Sequence, residues 1–360
     1  MRKQALETQT IYAELVERLI AFEATRAVGH VRGTFTTKVV KGERYVYFQY
    51  LEPGGVKRQT YLGRHDEVLE RAMRRYAAQR PGAAEERASI RRLCALLRAG
   101  GAQTTDAASE RVLRALADAG LFRSGCVLVG THAFTALGNA LGVVWDGAWM
   151  RTHDIDLASG GSVDVAVEDA ATEGRPATGS ADVQGVLESL EMGFLPVPSL
   201  DRGSPSTSYK VRGKALRVDL LTPVRGRMPS GPVAVPRLGA VAQPLRYLDY
   251  VMESPIRAAV VAGDGVLVTV PEPARFAFHK LIVADERPAV FHAKRDKDLH
   301  QAAQLFEVLV DERPGDVAIA WEALEARGAG WVKHARSGLA AMRTVDGAVA
   351  ARVREAARGA

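Results

Sequence analysis

The segment that most constrains the fold is residues 126–159, CVLVGTHAFTALGNALGVVWDGAWMRTHDIDLAS. Its first residues, Cys126 to Val129, have the length and apolarity of a buried strand, and they stop at Gly130-Thr131, after which residues 132–141 carry helical spacing. A strand that ends in glycine and a hydroxyl residue at a helix start presents backbone N–H groups to an anion such as phosphate, and glycine lets the chain approach it closely. Downstream, His153-Asp154-Ile155-Asp156-Leu157 alternates, so Asp154 and Asp156 project from one strand face while Ile155 and Leu157 enter the core. A strand, a helix and a second strand in this order imply an α/β (α+β) chain, and its sheet is expected to be mixed.

Two neighbouring carboxylates repel, and a hard divalent cation relieves the repulsion. A third acid lies in Lys214-Ala215-Leu216-Arg217-Val218-Asp219-Leu220-Leu221, where Val218 and Leu220 share one face and Arg217 and Asp219 the other. Asp219 joins the pair if the two strands are neighbours. Three clustered carboxylates can hold two magnesium ions, which can bridge a nucleoside triphosphate, activate an acceptor hydroxyl and stabilise leaving pyrophosphate. Asp219 is the natural candidate to take or orient the acceptor proton.

At 360 residues the chain is expected to hold two or three domains. Residues 4–26 read as an amphipathic helix, and three short strands follow at 35–40, 45–51 and 56–62, joined at Lys41-Gly42 and Pro53-Gly54-Gly55. A basic helix, His65 to Gln79, leads into QRPGA at 79–83, read as a linker. These elements make a small N-terminal module, 1–82. A second unit, 83–245, begins with helices at 84–99 and 105–119 and continues with strands at 153–158, 207–213 and 215–222 and a helix at 182–192. The third, 246–360, opens with a hairpin of 257–261 and 266–270 and is helical beyond Pro273.

Charge is uneven. Residues 1–100 hold 19 Lys+Arg against 11 Asp+Glu, whereas the whole chain nets only +6. A basic face commonly meets nucleic acid or another polyanion, although arginine-rich composition also occurs with no ligand attached. Strand alternation puts Tyr45, Tyr47 and Gln49 on one face among Lys38, Lys41, Arg44, Arg58 and Arg64. That face either stacks on bases or packs as a surface meander. The module resembles the three-stranded-sheet-plus-helix units at the front of some integrases and transposases.

No apolar run reaches the roughly 18 residues a membrane helix needs, no export signal is visible at the start, and only Cys94 and Cys126 are present, so a cytoplasmic protein is expected. Dispersed histidines give zinc hydrolysis little support, and the absence of Gly-Lys-Ser/Thr removes a P-loop.

The ordered set Gly130-Thr131, Asp154-Ile155-Asp156 and Asp219 resembles the DNA polymerase β-like nucleotidyltransferase superfamily, whose pattern is apolar-Gly-Gly/Ser, then Asp-x-Asp/Glu on a strand, then a third acid on a later strand. The resemblance covers about residues 105–310, because Pro271-Glu272-Pro273, His279-Lys280-Leu281, Arg287 and Lys297-Asp298-Leu299 are similar to the helical half of bacterial stand-alone members, abortive-infection toxin relatives included. It implies two magnesium ions at Asp154, Asp156 and Asp219, and triphosphate at Gly130, Thr131 and Lys280. The reaction it implies moves a nucleoside monophosphate from an NTP to a hydroxyl of RNA, tRNA or protein, with a toxin or defence role and a cognate antitoxin as possible context. Thr131 stands where the family has Ser and keeps the hydroxyl. The gap to Asp154 is longer than usual, which implies an inserted loop, Gly142 to Arg151, with Trp145 and Trp149 near the site, either stacking on a base or packing the loop. The rival readings are a non-catalytic binding protein on this scaffold and a small-molecule (antibiotic) adenylyltransferase.

Overall fold

The computed structural model describes residues 1–27, 33–40, 43–51, 57–147, 153–160, 182–198, 204–224 and 226–357. Strand β1 (Arg2–Lys3) precedes helix α1 (Leu6–Ala27), strands β2 (Gly33–Val40), β3 (Glu43–Leu51) and β4 (Lys57–Arg64), and helix α2 (Glu67–Ala99). The three strands form their own antiparallel sheet, β2-β3-β4. Helix α2 corrects one expectation: residues 79–83 are no linker but lie inside a continuous 33-residue helix. Pro81 forfeits one helical hydrogen bond, at about 3 kcal/mol, but the Ala-, Arg- and Glu-rich stretches on both sides are strong helix formers that carry the turn through. The turns assigned to Lys41-Gly42 and Pro53-Gly54-Gly55, and Trp149, lie outside the described residues.

The α/β part follows. Helix α3 (Ala107–Asp118), capped by the Asp106 carboxylate, leads to β5 (Val127–Val129), α4 (Gly130–Ala140), β6 (Val143–Val144) and β7 (Asp154–Ala158). Then come α5 (Val183–Glu188), β8 (Phe194–Pro196), β9 (Ser208–Val211), β10 (Arg217–Pro223), β11 (Val233–Val235) and β12 (Ala240–Leu245). Their mixed sheet runs β11-β12-β10-β7-β5, with β9 and β8 attached at the other edge of the first half of β10. β10 is parallel to β7 and β12 and antiparallel to β9, while β5 is antiparallel to β7. The alternation seen in sequence is what the sheet uses: Ile155, Leu157, Val218 and Leu220 are all fully buried on one face.

The remaining elements are α6 (Leu248–Met252), the hairpin β13 (Ile256–Val260) and β14 (Val266–Val270), α7 (Pro273–Glu286), α8 (His292–Glu312), α9 (Pro314–Glu325), α10 (Ala329–Met342) and α11 (Gly347–Ala356). Helix α7 starts where sequence demands it, with Pro273 in its first turn and the Glu272 carboxylate accepting from the N–H groups of Ala274 and Arg275 at 2.9 and 2.8 Å. Phe278 of α7 packs edge-on against Phe306 of α8 at 4.9 Å and against Trp321 of α9 at 5.5 Å. Gly338 of α10 lies so close to the Leu281 backbone that any Cβ would collide with it, which lets α10 seat on α7. One apolar cluster runs from Val112 through the sheet to Val353, so sheet and C-terminal helices share a core, and a second joins α1 and α2 to the hairpin. There Tyr12 on α1 donates to the Ala259 carbonyl at 3.3 Å and accepts from its N–H at 2.9 Å. Both cysteines are buried. Among the described residues no helix is long and apolar enough to cross a membrane.

Candidate active site

Three neighbouring strands, β10, β7 and β5, bring the sequence-selected residues to one place. Asp219 on β10 stands in register with Asp156 on β7, and Asp156 stands in register with Val129, the last residue before the Gly130 turn. Asp154 lies two residues before Asp156 and therefore on the same face. Neighbouring strands lie about 4.8 Å apart, so the three carboxylates and the turn are adjacent. All of them, with Thr131, line a cleft of about 720 Å³.

Gly130 has φ +69°, and a Cβ there would run into Oδ2 of Asp156. Only glycine leaves room for the carboxylate beneath the turn. The helix that follows is open at its start: Val129 in the N-cap position supplies no side-chain acceptor. Helices α3 and α7, by contrast, are closed by Asp106 and Glu272. The first N–H groups of α4 thus remain for an anion in the cleft.

Crowded carboxylates are visible in their electrostatics. Burial, then the charges of Asp219 and Asp154, push the Asp156 carboxyl from 3.8 up to about 7, against the pull of Lys280 and Lys297. Asp219 is anchored on its other flank. Arg217 Nε donates to its Oδ1 at 2.6 Å, Ser208 Oγ donates to the same oxygen, and Arg217 Nη2 donates to Ser208 Oγ at 2.8 Å. The donor set, three aspartates on one face, is the oxygen chemistry a hard divalent cation takes. As the side chains stand, no three carboxylate, imidazole or thiol groups among the described residues close on one point.

The opposite wall is cationic. Lys280 of α7 lines the cleft, with its Nζ 2.9 Å from Asp298 Oδ1 and 4.9 Å from the Phe276 ring centre. Arg287 Nε donates to the other oxygen of Asp298 at 2.7 Å. Burial alone would raise the Asp298 carboxyl, but Lys280 and Arg287 outweigh it and hold it below the usual carboxylate range. Burial, and next the charge of Lys280, depress the Lys297 ammonium, which feels Asp154 and Asp156 across the cleft. Lys294 completes this wall. His279 beside Lys280 is driven down to about 4, chiefly by burial, and is neutral at pH 7.

Sequence reading found Gly130, Thr131, Asp154, Asp156, Asp219 and Lys280, and the structure gathers all six around one cleft. It missed Ser208, which only the β9–β10 register reveals. Alternation places Arg217 on the Asp219 face without assigning it a role, although an opposite charge two residues away on a strand is the available signal. For Trp145 the structure favours packing, the second of the two readings that the sequence left open. Trp145 is 2% exposed, stacks on Phe134 at 4.7 Å and donates its indole N–H to the Phe134 carbonyl at 2.6 Å, because a large apolar ring after a short strand finds more burial in the core than at the rim.

No curated protein and no solved structure matches the chain. Residues 107–325, more than half of it, match the family model described as nucleotidyltransferase, and the matched span holds Gly130, Thr131, the three aspartates and the Lys280–Asp298 pair. The chain belongs to this nucleotidyltransferase family.

Proposed function

We propose that this nucleotidyltransferase moves a nucleoside monophosphate from an NTP to an acceptor hydroxyl, with RNA as the favoured acceptor, and releases pyrophosphate in a magnesium-dependent reaction. The observation that carries the reading is the register of Asp219 beside Asp156, with Asp154 on the same face, next to the Gly130 turn and opposite Lys280. The open first turn of α4, with the Thr131 hydroxyl, takes phosphate oxygens. Lys280 and Lys297 balance the triphosphate charge from the other wall. Two magnesium ions held by Asp154, Asp156 and Asp219 would supply Lewis acidity at the α-phosphate and lower the pKa of the acceptor hydroxyl. Asp219 orients that hydroxyl in line with the α-phosphorus and takes its proton. The bond from acceptor oxygen to α-phosphorus forms, the bond to the β-phosphate oxygen breaks, and pyrophosphate leaves along the cationic wall.

The N-terminal sheet supports RNA as acceptor. Thr36 pairs with Tyr47 and Lys38 with Tyr45, so they share a face with Gln59, which accepts from Lys38 at 2.8 Å and donates to Thr36 at 2.9 Å. Lys38 sits 4.8 Å from the Tyr47 ring centre. The opposite face carries Val46, fully buried. A polar face of tyrosines and cations is the kind of surface on which single-stranded bases stack while phosphates meet lysine and arginine.

The test is incubation with α-labelled NTPs, magnesium and total RNA, run beside Asp154→Ala. Label should appear on RNA with the natural chain and not with the variant. Label transferred equally by both removes the assigned site; label only on protein or a small molecule keeps the reaction and replaces the acceptor.

A further inference from the structure

Arg217 and Ser208 both engage Asp219, one of the three aspartates that share a face, and their placement has a direction. In its first half β10 lies between β7, which carries Asp154 and Asp156, and β9, which carries Ser208. Ser208 is in register with Asp219 on the β9 side. The Arg217 guanidinium, although its own β7 register partner is Asp154, binds Asp219 Oδ1 and Ser208 Oγ. Both donors converge on the same carboxylate oxygen, and Ser208 approaches it from the β9 side, opposite the strand that carries Asp154 and Asp156.

We propose that Arg217 is a positioning residue that acts as a resident counter-cation: it holds Asp219 off the carboxylate pair and thereby sets the affinity of the site for divalent cations. The proposal rests on the reading of the three aspartates as cation ligands. A guanidinium is always charged and offers a rigid fork, so a divalent ion that takes Asp219 Oδ1 must displace it, and one that takes the other oxygen still meets its charge. Displacement is sterically open, because the Arg217 side chain is 39% exposed and lines the cleft, so it can swing into solvent without disturbing the apolar face beneath. Ser208 stays behind as a neutral donor that keeps Asp219 oriented once the arginine has left.

Manganese binding to the full chain without nucleotide, followed by electron paramagnetic resonance, tests this. Arg217→Gln should bind Mn²⁺ tighter by roughly tenfold, the scale of removing one competing charge beside a half-buried carboxylate. The same substitution in an Asp219→Asn background should gain nothing. Arg217→Lys, which keeps the charge and loses the fork, should fall between, and it serves if the glutamine variant does not fold. A merely structural arginine would leave Mn²⁺ affinity unchanged or weakened on removal. That result, or a gain that survives Asp219→Asn, or no Mn²⁺ binding by any of these chains, overturns the proposal. Label transfer from NTP by the natural chain shows separately whether the nucleotidyl-transfer reading still stands.

Discussion

Asp298 and Asp219 stand on opposite walls of one cleft, and each is held by an arginine and a second donor, yet they are built for different ends. Asp298 is locked: its side chain is 9% exposed, and Lys280 and Arg287 each take one of its oxygens. Its cations have little to exchange with, so the cluster fixes α7 to α8 and aims positive charge into the cleft. Asp219 is 19% exposed, its arginine is 39% exposed, and both donors crowd onto one oxygen. On the proposed reading an incoming cation takes that cluster apart. On the proposed reading the contrast separates a carboxylate that stabilises from one that reacts, though both are aspartates paired with arginine.

Substitution should break the comparison in opposite directions. Asp219→Ala is expected to lower pyrophosphate release by roughly a thousandfold or more, while denaturant midpoints move little, because a half-exposed ion pair contributes only about 0–1 kcal/mol. Asp298→Ala should instead destabilise the chain by about 3–5 kcal/mol, since it strands the buried Lys280 ammonium, with activity falling only as the folded population and triphosphate affinity fall. Equal stability losses in the two variants would erase the distinction drawn here.

A smaller effect sharpens it. Asp156 has its carboxyl raised to about 7, so the metal-free fold binds an extra proton there, and the resulting stability is present below the ordinary 3.8 and lost as pH rises through 7. Asp156→Asn should therefore raise the metal-free Tm by about 3 °C at pH 8 and by almost nothing at pH 4. Magnesium added to the natural chain at pH 8 should produce a rise of the same sign. A gain that is equal at both pH values would mean that the crowding of charge is not its source.

Much of this site was legible because its parts are local. The glycine turn, the alternation of Asp154 and Asp156, and the pairing of Asp219 with an apolar face all follow from strand geometry within a few residues. What alternation cannot supply is register: only the parallel pairing of β10 with β7 sets Asp219 beside Asp156, and only the antiparallel pairing with β9 brings in Ser208. Lys280 was read through resemblance, but its partner is Asp298, eighteen residues on and on the next helix, a contact that spacing does not encode. Pro81 misled as a helix breaker because the stretches flanking it outweigh one lost hydrogen bond, whereas for Trp145 sequence left stacking and packing open, and only its burial against Phe134 decides between them.

The most direct measurement is a crystal structure of the natural chain with magnesium and an NTP analogue that cannot be cleaved between the α- and β-phosphates. Magnesium should lie about 2.1 Å from oxygens of Asp154, Asp156 and Asp219, with Arg217 released from Asp219 and the triphosphate between the Gly130 turn and Lys280. A nucleotide seated outside this cleft, or metal density that leaves Asp219 on Arg217, would contradict the assignment of these three aspartates as one catalytic unit.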